Sequence, residues 1–233
     1  MNKEEFINSL KEINIDIKEK QLKQLEGFYN LLVTENKKYN LTAITEEHDV
    51  YLKHFYDSLT LTKIVDLNNQ YLLDIGTGAG FPGLVLKIMF PNLKIDLLDS
   101  TNKKCMFLQY VIDILELTNI KVINARAEEY AKDVREKYDI VTSRAVAPLK
   151  HLLEYSIPLL KINGVFIALK SNIDEETKNI QNYYQKLYLN QEKIIKFELP
   201  KENSLRTLYK VTKYKSTPNI YPRVYSQIKK KDI

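Results

Sequence analysis

Residues 74–83 read DIGTGAGFPG and hold four of the six glycines of the chain. The apolar run YLL precedes them and a helical pattern follows, so the stretch is predicted to be the turn from a strand into a helix. Glycine suits places where the backbone needs positive φ angles or comes close to a ligand. Three alternate glycines, Gly76, Gly78 and Gly80, exceed the needs of a plain connection. The stretch therefore predicts a ligand-binding turn.

From Tyr71 onward, short apolar runs alternate with segments that show helical periodicity. The runs YLLDI, LKIDLLD, IKVINA, YDIVTSRA and GVFIALK are each followed by such a segment. This alternation predicts βαβ units and hence an α/β fold, with a mostly parallel, doubly wound sheet covered by helices on both faces. The last two runs, KIIKFELP and TLYKVTKY, predict an antiparallel hairpin at the C-terminal edge of the sheet.

Three regions follow from this pattern. Residues 1–68 show only helical periodicity and are predicted to form an N-terminal helical cap. Residues 69–216 are predicted to form the sheet domain, in which right-handed crossovers bring the carboxyl ends of the parallel strands to one edge. Residues 217–233 form a basic tail that contains Arg223 and three consecutive lysines, and we expect a solvated, partly frayed terminus there.

The composition is that of a globular protein with a real core, since 44% of the 233 residues are hydrophobic and 28% are charged. The apolar runs are too short to span a membrane, and the N-terminus lacks a signal-peptide pattern, so we expect a cytoplasmic protein. The net charge of +5 is compatible with a polyanionic partner without demanding one. One cysteine, Cys105, and three scattered histidines predict neither an internal disulfide nor a metal site, and Cys105 is expected in the core.

The turn narrows the class of ligand. A dinucleotide-binding turn has the pattern G-x-G-x-x-G, but Phe81 stands where the third glycine belongs. A P-loop would need a lysine followed by serine or threonine, and the turn has no such pair. Asp99 ends the second strand, where a carboxylate accepts both hydroxyls of a ribose, and Asp74 ends the first strand, where it would attract a cationic group. A cationic nucleoside without phosphates describes S-adenosylmethionine.

Several further stretches are specific to one family. They are YNLT at 39–42, KHFYDSL at 53–59, GAGFPG at 78–83, ARAEE at 125–129 and SRA at 143–145. In this order they resemble the bacterial small-subunit ribosomal RNA methyltransferase G family, also called the glucose-inhibited division protein B family. The resemblance covers nearly the whole chain. It implies a Rossmann-like class I methyltransferase fold with S-adenosylmethionine as cofactor.

The resemblance also implies a reaction, the transfer of a methyl group to N7 of a guanine in 16S ribosomal RNA. The partner is then the small ribosomal subunit, at the loop near the decoding centre. By their position in the motifs, five residues match cofactor contacts of the family: Gly76, Phe81, Ala127, Glu128 and Arg144. Four more residues are predicted at the cofactor site from their places at the strand ends and in the turn: Asp74, Gly78, Gly80 and Asp99.

The chemistry of guanine N7 predicts a site without a general base, because N7 carries a lone pair at neutral pH. Catalysis is then expected to be the alignment of N7, the methyl carbon and the sulfur, and Arg144 is assigned a positioning role. Arg126, Arg144 and Lys170 each follow a strand, so we expect them on the RNA-facing side of the cofactor. His54 is interpreted as a hydrogen-bonded structural residue rather than a catalytic one.

The tail adds a further predicted RNA contact. Arg223 lies between Tyr221 and Tyr225 and ahead of the terminal lysines, a mixture that suits stacking on unpaired bases and pairing with phosphates. This prediction and that of a solvated, frayed terminus both place the tail outside the folded core.

Two other functions fit parts of the sequence. A methyltransferase of the same fold with a protein or small-molecule substrate would share the glycine turn, but the cap motifs and SRA argue against it. A non-catalytic RNA-binding or ribosome-assembly factor would not need the intact turn and Asp99. A dehydrogenase ranks lower, because the dinucleotide spacing fails.

We expect a monomer.

Overall fold

The computed structural model describes residues 1–190 and 193–233. In this part of the chain the strands form one sheet. They are β1 (Tyr71–Ile75), β2 (Lys94–Asp99), β3 (Ile120–Asn124), β4 (Tyr138–Arg144), β5 (Leu160–Lys170), β6 (Leu189–Glu198) and β7 (Leu205–Lys213). Their order in the sheet is β3-β2-β1-β4-β5-β7-β6.

The first five strands are parallel, and β7 pairs antiparallel with both β5 and β6. The predicted α/β fold with an antiparallel C-terminal edge is therefore confirmed. The winding direction reverses between β1 and β4, which are neighbours in the sheet but distant in the chain. In open α/β sheets ligands bind at this switch point, outside the carboxyl ends of the strands.

Helices cover both faces of the sheet. They are α1 (Lys3–Glu12), α2 (Glu19–Tyr39), α3 (Glu47–Asp49), α4 (Asp57–Leu59), α5 (Gly83–Met89), α6 (Asn102–Ile114), α7 (Ala127–Asp133), α8 (Leu149–Ser156), α9 (Gln181–Leu187) and α10 (Tyr225–Lys230). A π-helix, Val50–Tyr56, joins α3 to α4, and a 3-10 turn, Thr60–Lys63, follows. Residues 47–63 thus form one continuous helical segment, which we call the cap helix.

The cap forms because its helices are amphipathic. Asn2 and Glu5 close a capping box at the start of α1, and Leu25, Phe28 and Leu32 line the buried face of α2. These side chains join a hydrophobic core that also contains residues of β1, β2 and α5. The helices of the cap precede β1, and the cap shares a single hydrophobic core with this face of the sheet.

Cys105 is buried on α6, where burial raises the pKa of its thiol, and it packs against the end of β2. Its prediction as a core residue is confirmed. Among the described residues, no helix combines the length and the apolar composition that a membrane crossing requires.

The C-terminal tail is folded, and its prediction as a frayed terminus is wrong. Arg135 donates hydrogen bonds to the carbonyl oxygens of Thr217 and Tyr221, and α10 packs on α8 through the buried Ile228. Arg223 donates two side-chain hydrogen bonds, of 2.8 and 2.7 Å, to the fully buried carboxylate of Glu154. This pair neutralises both charges, so Arg223 holds the tail in place instead of offering a free guanidinium to RNA.

Candidate functional site

The glycine turn joins β1 to α5 at the switch point of the sheet. Gly76, Gly78 and Gly80 have φ angles of +66°, +61° and +102°, a region that side chains disfavour. The expectation of positive φ angles is therefore confirmed. The N–H of Gly76 donates to the carbonyl oxygen of Leu98 over 2.7 Å, which ties the turn to β2.

Asp99 anchors the turn from the end of β2. Its carboxylate accepts the N–H of Gly78 at 3.0 Å and the N–H of Thr101 at 2.8 Å. A carboxylate has about four acceptor positions, so two remain for a ligand. Asp99 also lines the cavity beside it, as its prediction as a cofactor residue requires.

Asp74 and Gly80 lie beneath the turn. Asp74 is fully buried and accepts the N–H of Gly83 at 2.8 Å, which fixes the start of α5. A methyl group on Gly80 would lie 2.4 Å from Cδ1 of Leu84, so this glycine permits the close packing of the turn on α5. Neither residue is among those that line the two cavities at the switch point, and the contacts that the structure describes for them support the turn.

The burial of Asp74 makes a prediction about stability. Burial raises the pKa of this carboxyl from 3.8 to about 6, so the folded chain holds the proton more tightly than the unfolded chain. Stability from this group is present below the unfolded pKa and is lost as pH rises between the two values. We expect the free energy of unfolding of Asp74→Asn, measured in urea, to lack this pH-dependent loss. The stability of the variant relative to wild type should therefore rise from pH ~4 to pH ~6. Asp113→Asn on the exposed face of α6 is the control, and parallel pH curves for Asp74→Asn and wild type would contradict the expectation.

The first cavity, of about 410 Å³, opens over the carboxyl ends of β1, β2 and β3. Its walls carry several of the predicted residues together with others. They include Gly76, Asp99, Lys104, Arg126, Ala127, Glu128, Arg144, Val146 and Tyr225. The nearly buried Glu128 pairs with Arg126 at 2.5 Å, and the Arg126 guanidinium lies 4.5 Å from the centre of the Tyr225 ring. Arg126 was expected on the RNA-facing side, but the structure places it here, beside Asp99 and Glu128.

The second cavity, of about 440 Å³, lies on the other side of Gly76, Arg144 and Ala145, which line both cavities. The motifs that are specific to the family meet on its walls. They contribute Leu41, Thr42, Lys53, His54, Asp57, Gly78, Phe81, Arg144 and Ala145, together with Lys170 and Arg206. The cap helix and the sheet therefore build this cavity jointly.

Arg144 is held rigidly at the end of β4. Its Nη1 donates to the carbonyl oxygen of Lys53 at 2.9 Å and to Asp57 Oδ2 at 3.0 Å, and its Nη2 lies 3.0 Å from His54 Nδ1. The guanidinium carbon lies 5.1 Å from the centre of the Phe81 ring. Such a fixed guanidinium suits the positioning role that was predicted for Arg144.

His54 is a neutral partner of Arg144. Burial, together with the Arg144 charge, lowers the pKa of His54 to about 3. Since Nδ1 accepts from Arg144, the proton belongs on Nε2, which lies 3.0 Å from the hydroxyl of Thr42. The imidazole also stacks on Phe81 with ring centres 4.2 Å apart. His54 is thus hydrogen-bonded at both ring nitrogens, as expected from the sequence.

Lys170 lines the second cavity, as predicted, but its ammonium is already paired. It donates to both carboxylate oxygens of Glu176, at 2.8 and 2.6 Å, and to the carbonyl oxygen of Ala147 at 2.8 Å. Its side chain is only 9% exposed. Lys170 therefore fastens the loop after β4, and its charge is compensated before any RNA arrives.

Three residues of the site were missed by sequence reasoning. Asp57 lay within the quoted stretch KHFYDSL but received no role, whereas its carboxylate joins Arg144 to Arg206. Tyr225 was grouped with the tail, yet it lines the first cavity. Arg206 had no signal in the sequence, because it reaches the site from a strand 149 residues after Asp57.

Comparison with known proteins identifies relatives of this chain in one family. A family model for rRNA small subunit methyltransferase G matches residues 21–205. The Ribosomal RNA small subunit methyltransferase G of Mesoplasma florum is 50% identical, with 89% of this chain and 87% of that protein covered. The proteins of the same name from Bacillus velezensis and Bacillus subtilis are 48% and 47% identical, each with 96% of this chain and 95% of the relative covered.

Solved structures show the fold. A SAM-dependent methyltransferase from Aquifex aeolicus superposes with a TM-score of 0.55 at 15% identity, over 77% of this chain and 98% of that one. TYW2 from M. jannaschii in complex with AdoMet gives 0.53 at 14% identity, over 67% and 74%. These likenesses confirm the Rossmann-like methyltransferase fold. The motifs at the two cavities, the family model and the identity to its members together show that the chain belongs to the rRNA small subunit methyltransferase G family.

Proposed function

We propose that the chain transfers a methyl group from S-adenosylmethionine to N7 of a guanine in 16S ribosomal RNA. The observation that carries this proposal is the meeting of the family-specific motifs on the second cavity, directly beside a first cavity that suits a nucleoside. Relatives that are 47–50% identical are named for methylation of the small-subunit ribosomal RNA. Substrate and cofactor thus have adjacent places at one edge of the sheet.

The residues of the first cavity fit S-adenosylmethionine. Asp99 keeps acceptor positions free for the ribose hydroxyls, and Ala127 and Glu128 begin α7 where they would frame the adenine. Gly76, which lines both cavities, would hold the methionine part. When bound, the cofactor supplies an electrophilic methyl group on a sulfonium sulfur.

The target guanine belongs in the second cavity. Arg144 stands between the two cavities with its guanidinium fixed by Asp57, His54 and the carbonyl of Lys53. An arginine is the usual partner of guanine O6 and N7. With N7 left free for the methyl group, Arg144 would hold O6 or a phosphate and so orient the base. Phe81 supports the guanidinium from below.

The reaction at N7 needs no proton removed before attack, since the nitrogen lone pair is available at neutral pH. The groups around Arg144 agree with that chemistry. His54 is neutral, and both of its ring nitrogens have partners, so it is not placed to accept a proton from the substrate. The contribution of the protein is then alignment and proximity, which supply a large share of a rate enhancement in such sites.

This mechanism predicts a flat pH profile. Under saturating substrates, kcat should change less than about twofold between pH ~7 and pH ~9, because no group acts as a general base. Single-turnover assays with labelled cofactor and small ribosomal subunits measure it directly. A tenfold rise in rate per pH unit over part of this range would show that a base is involved and would contradict the mechanism.

The experiment that tests the function uses small ribosomal subunits from a strain that lacks this methylation. The purified chain is incubated with these subunits and S-adenosylmethionine labelled in the methyl group, and label in 16S ribosomal RNA is the expected result. Cofactor binding with label in a protein or in another RNA would favour a different substrate. Binding of subunits without any transfer would favour the non-catalytic RNA-binding or assembly factor.

We further propose that the chain acts as a monomer, in the cytoplasm where its ribosomal substrate resides. Support for the monomer comes from the two cavities, whose walls are built by the cap, the sheet and the tail of one chain. Light scattering at assay concentrations, with and without cofactor, tests this state. An active fraction found only in a dimer would contradict it.

A further inference from the structure

The second cavity contains two guanidinium groups that share a single carboxylate. Arg144 Nη1 lies 3.0 Å from Asp57 Oδ2, and Arg206 Nε lies 3.0 Å from Asp57 Oδ1. Two positive charges therefore face one negative charge. The two lysines of the cavity are also paired with carboxylates, Lys53 with Asp49 and Glu202 and Lys170 with Glu176. With these pairs included the charges of the cluster balance, so an anion here would be held by guanidinium N–H donors that remain available.

Arg206 has hydrogen-bond donors to spare. Its Nε donates to Asp57, and its Nη1 donates to the Ser204 hydroxyl and to the carbonyl oxygen of Leu205. Its Nη2 has no hydrogen-bond partner among the described residues, and the side chain is 22% exposed on the wall of the cavity. A guanidinium held on one side by a carboxylate presents its other N–H groups in a fixed direction, which suits a phosphate oxygen.

The sheet order indicates which ligand these donors face. Arg206 lies at the start of β7. In the sheet, β4 and β5 lie between β7 and β1. Three strand spacings of about 4.8 Å place β7 roughly 14 Å from β1. The cofactor residues lie at β1, β2 and β3, on the far side of Arg144. A ligand at Arg206 would therefore lie away from the first cavity, on the side of Arg144 where the substrate is proposed to bind.

We propose that Arg206 binds a backbone phosphate of the substrate RNA next to the target nucleotide. Asp57 is then a positioning residue that orients two guanidiniums at once, Arg144 towards the reacting base and Arg206 towards the phosphate. A phosphate contact fixes the register of the RNA without reading its sequence. This inference rests on the proposed function, because it takes the substrate of the second cavity to be RNA.

The test compares wild type, Arg206→Gln, Arg206→Lys and the control Lys161→Gln. Lys161 pairs with Asp139 at the opposite edge of the sheet, so its variant removes the same charge away from the cavity. Two affinities are measured: that for S-adenosylmethionine alone, and that for unmethylated small ribosomal subunits in the presence of S-adenosylhomocysteine. The second is repeated over a series of salt concentrations.

For Arg206→Gln we expect about tenfold to a hundredfold weaker subunit binding, the loss typical of a charge-assisted contact. The slope of log affinity against log salt should become shallower by about 0.7 to 0.9, as for one lost phosphate contact. Cofactor affinity should match that of wild type. Arg206→Lys should retain part of the binding and the slope, because it keeps the charge without the planar fork.

Three results would overturn the proposal. One is an unchanged affinity and salt slope for Arg206→Gln. Another is a loss of cofactor affinity equal to the loss of subunit affinity, which would place the contact on the cofactor. The third is a fall in kcat alone, which would make Arg206 only a support for Arg144 through Asp57. None of these outcomes affects the proposed function, whose failure would appear as absent methylation by the wild-type chain.

Discussion

Replacing Arg144 by alanine should lower kcat/KM for methylation of small ribosomal subunits about a hundredfold, the loss typical of a misplaced reacting group. The guanidinium lines both cavities and is fixed by three hydrogen bonds to the cap helix. Removing it leaves the target base without its support. The fold should survive, because Asp57 keeps its ion pair with Arg206 and is not left as an unpaired buried charge.

The measurement is single-turnover kinetics, with the melting temperature as a check on folding. Lys161→Gln is a suitable control, because it removes a charge that lies outside both cavities. Arg144→Lys should recover little activity, since an ammonium cannot reproduce the planar fork between Asp57 and His54. Unchanged turnover in Arg144→Ala would contradict the positioning role.

Substitution of Gly76 should be far more harmful than substitution of Gly78. Both glycines have positive φ angles, so alanine at either position is strained by about 1–2 kcal/mol. A methyl group on Gly76 would also lie 2.5 Å from Cγ2 of Val146, whereas the nearest atom to one on Gly78 is the Gly76 carbonyl oxygen at 3.9 Å. Only Gly76→Ala must displace the loop after β4, at the point where the two cavities meet.

We expect Gly78→Ala to show the backbone strain alone and Gly76→Ala to lose about 1–3 kcal/mol more in the free energy of unfolding. Affinity for S-adenosylmethionine should fall at least about tenfold in Gly76→Ala. The double variant Gly76→Ala with Val146→Ala relieves the clash and should recover most of this additional loss. Equal stability and cofactor affinity in the two single glycine variants would show that the close contact with Val146 is unimportant.

Much of this fold could be predicted from the sequence, because its signals are local. Alternating apolar runs and helical patterns define βαβ units, and the run of glycines marks the first turn. The end of β2 places Asp99 at that turn, and the structure agrees. The motifs of the cap indicated a family, but they did not predict where their residues lie in the fold. Their meeting on one cavity depends on the docking of the cap helix against the sheet.

The parts that could not be predicted involve side-chain direction and distant contacts. Asp74 lies near the end of β1 as expected, but alternation along β1 puts it on the same face as Leu72, beneath α5. Arg223 was expected to be available to RNA. Its partner Glu154 lies 69 residues earlier on another element, so no local pattern indicated the pair. Arg206 and Asp57 are 149 residues apart, and no local pattern predicts that they share an ion pair.

The sharpest test of methyl transfer to guanine N7 is to locate the transferred methyl group on the RNA. Unmethylated small ribosomal subunits are treated with the chain and labelled S-adenosylmethionine, and the 16S ribosomal RNA is then digested to nucleosides and mapped by fragment. We expect the label to appear as 7-methylguanosine at a single position. Label on an exocyclic amino group, on a ribose or on a ribosomal protein would contradict the proposed reaction, in which the lone pair of N7 attacks without a general base.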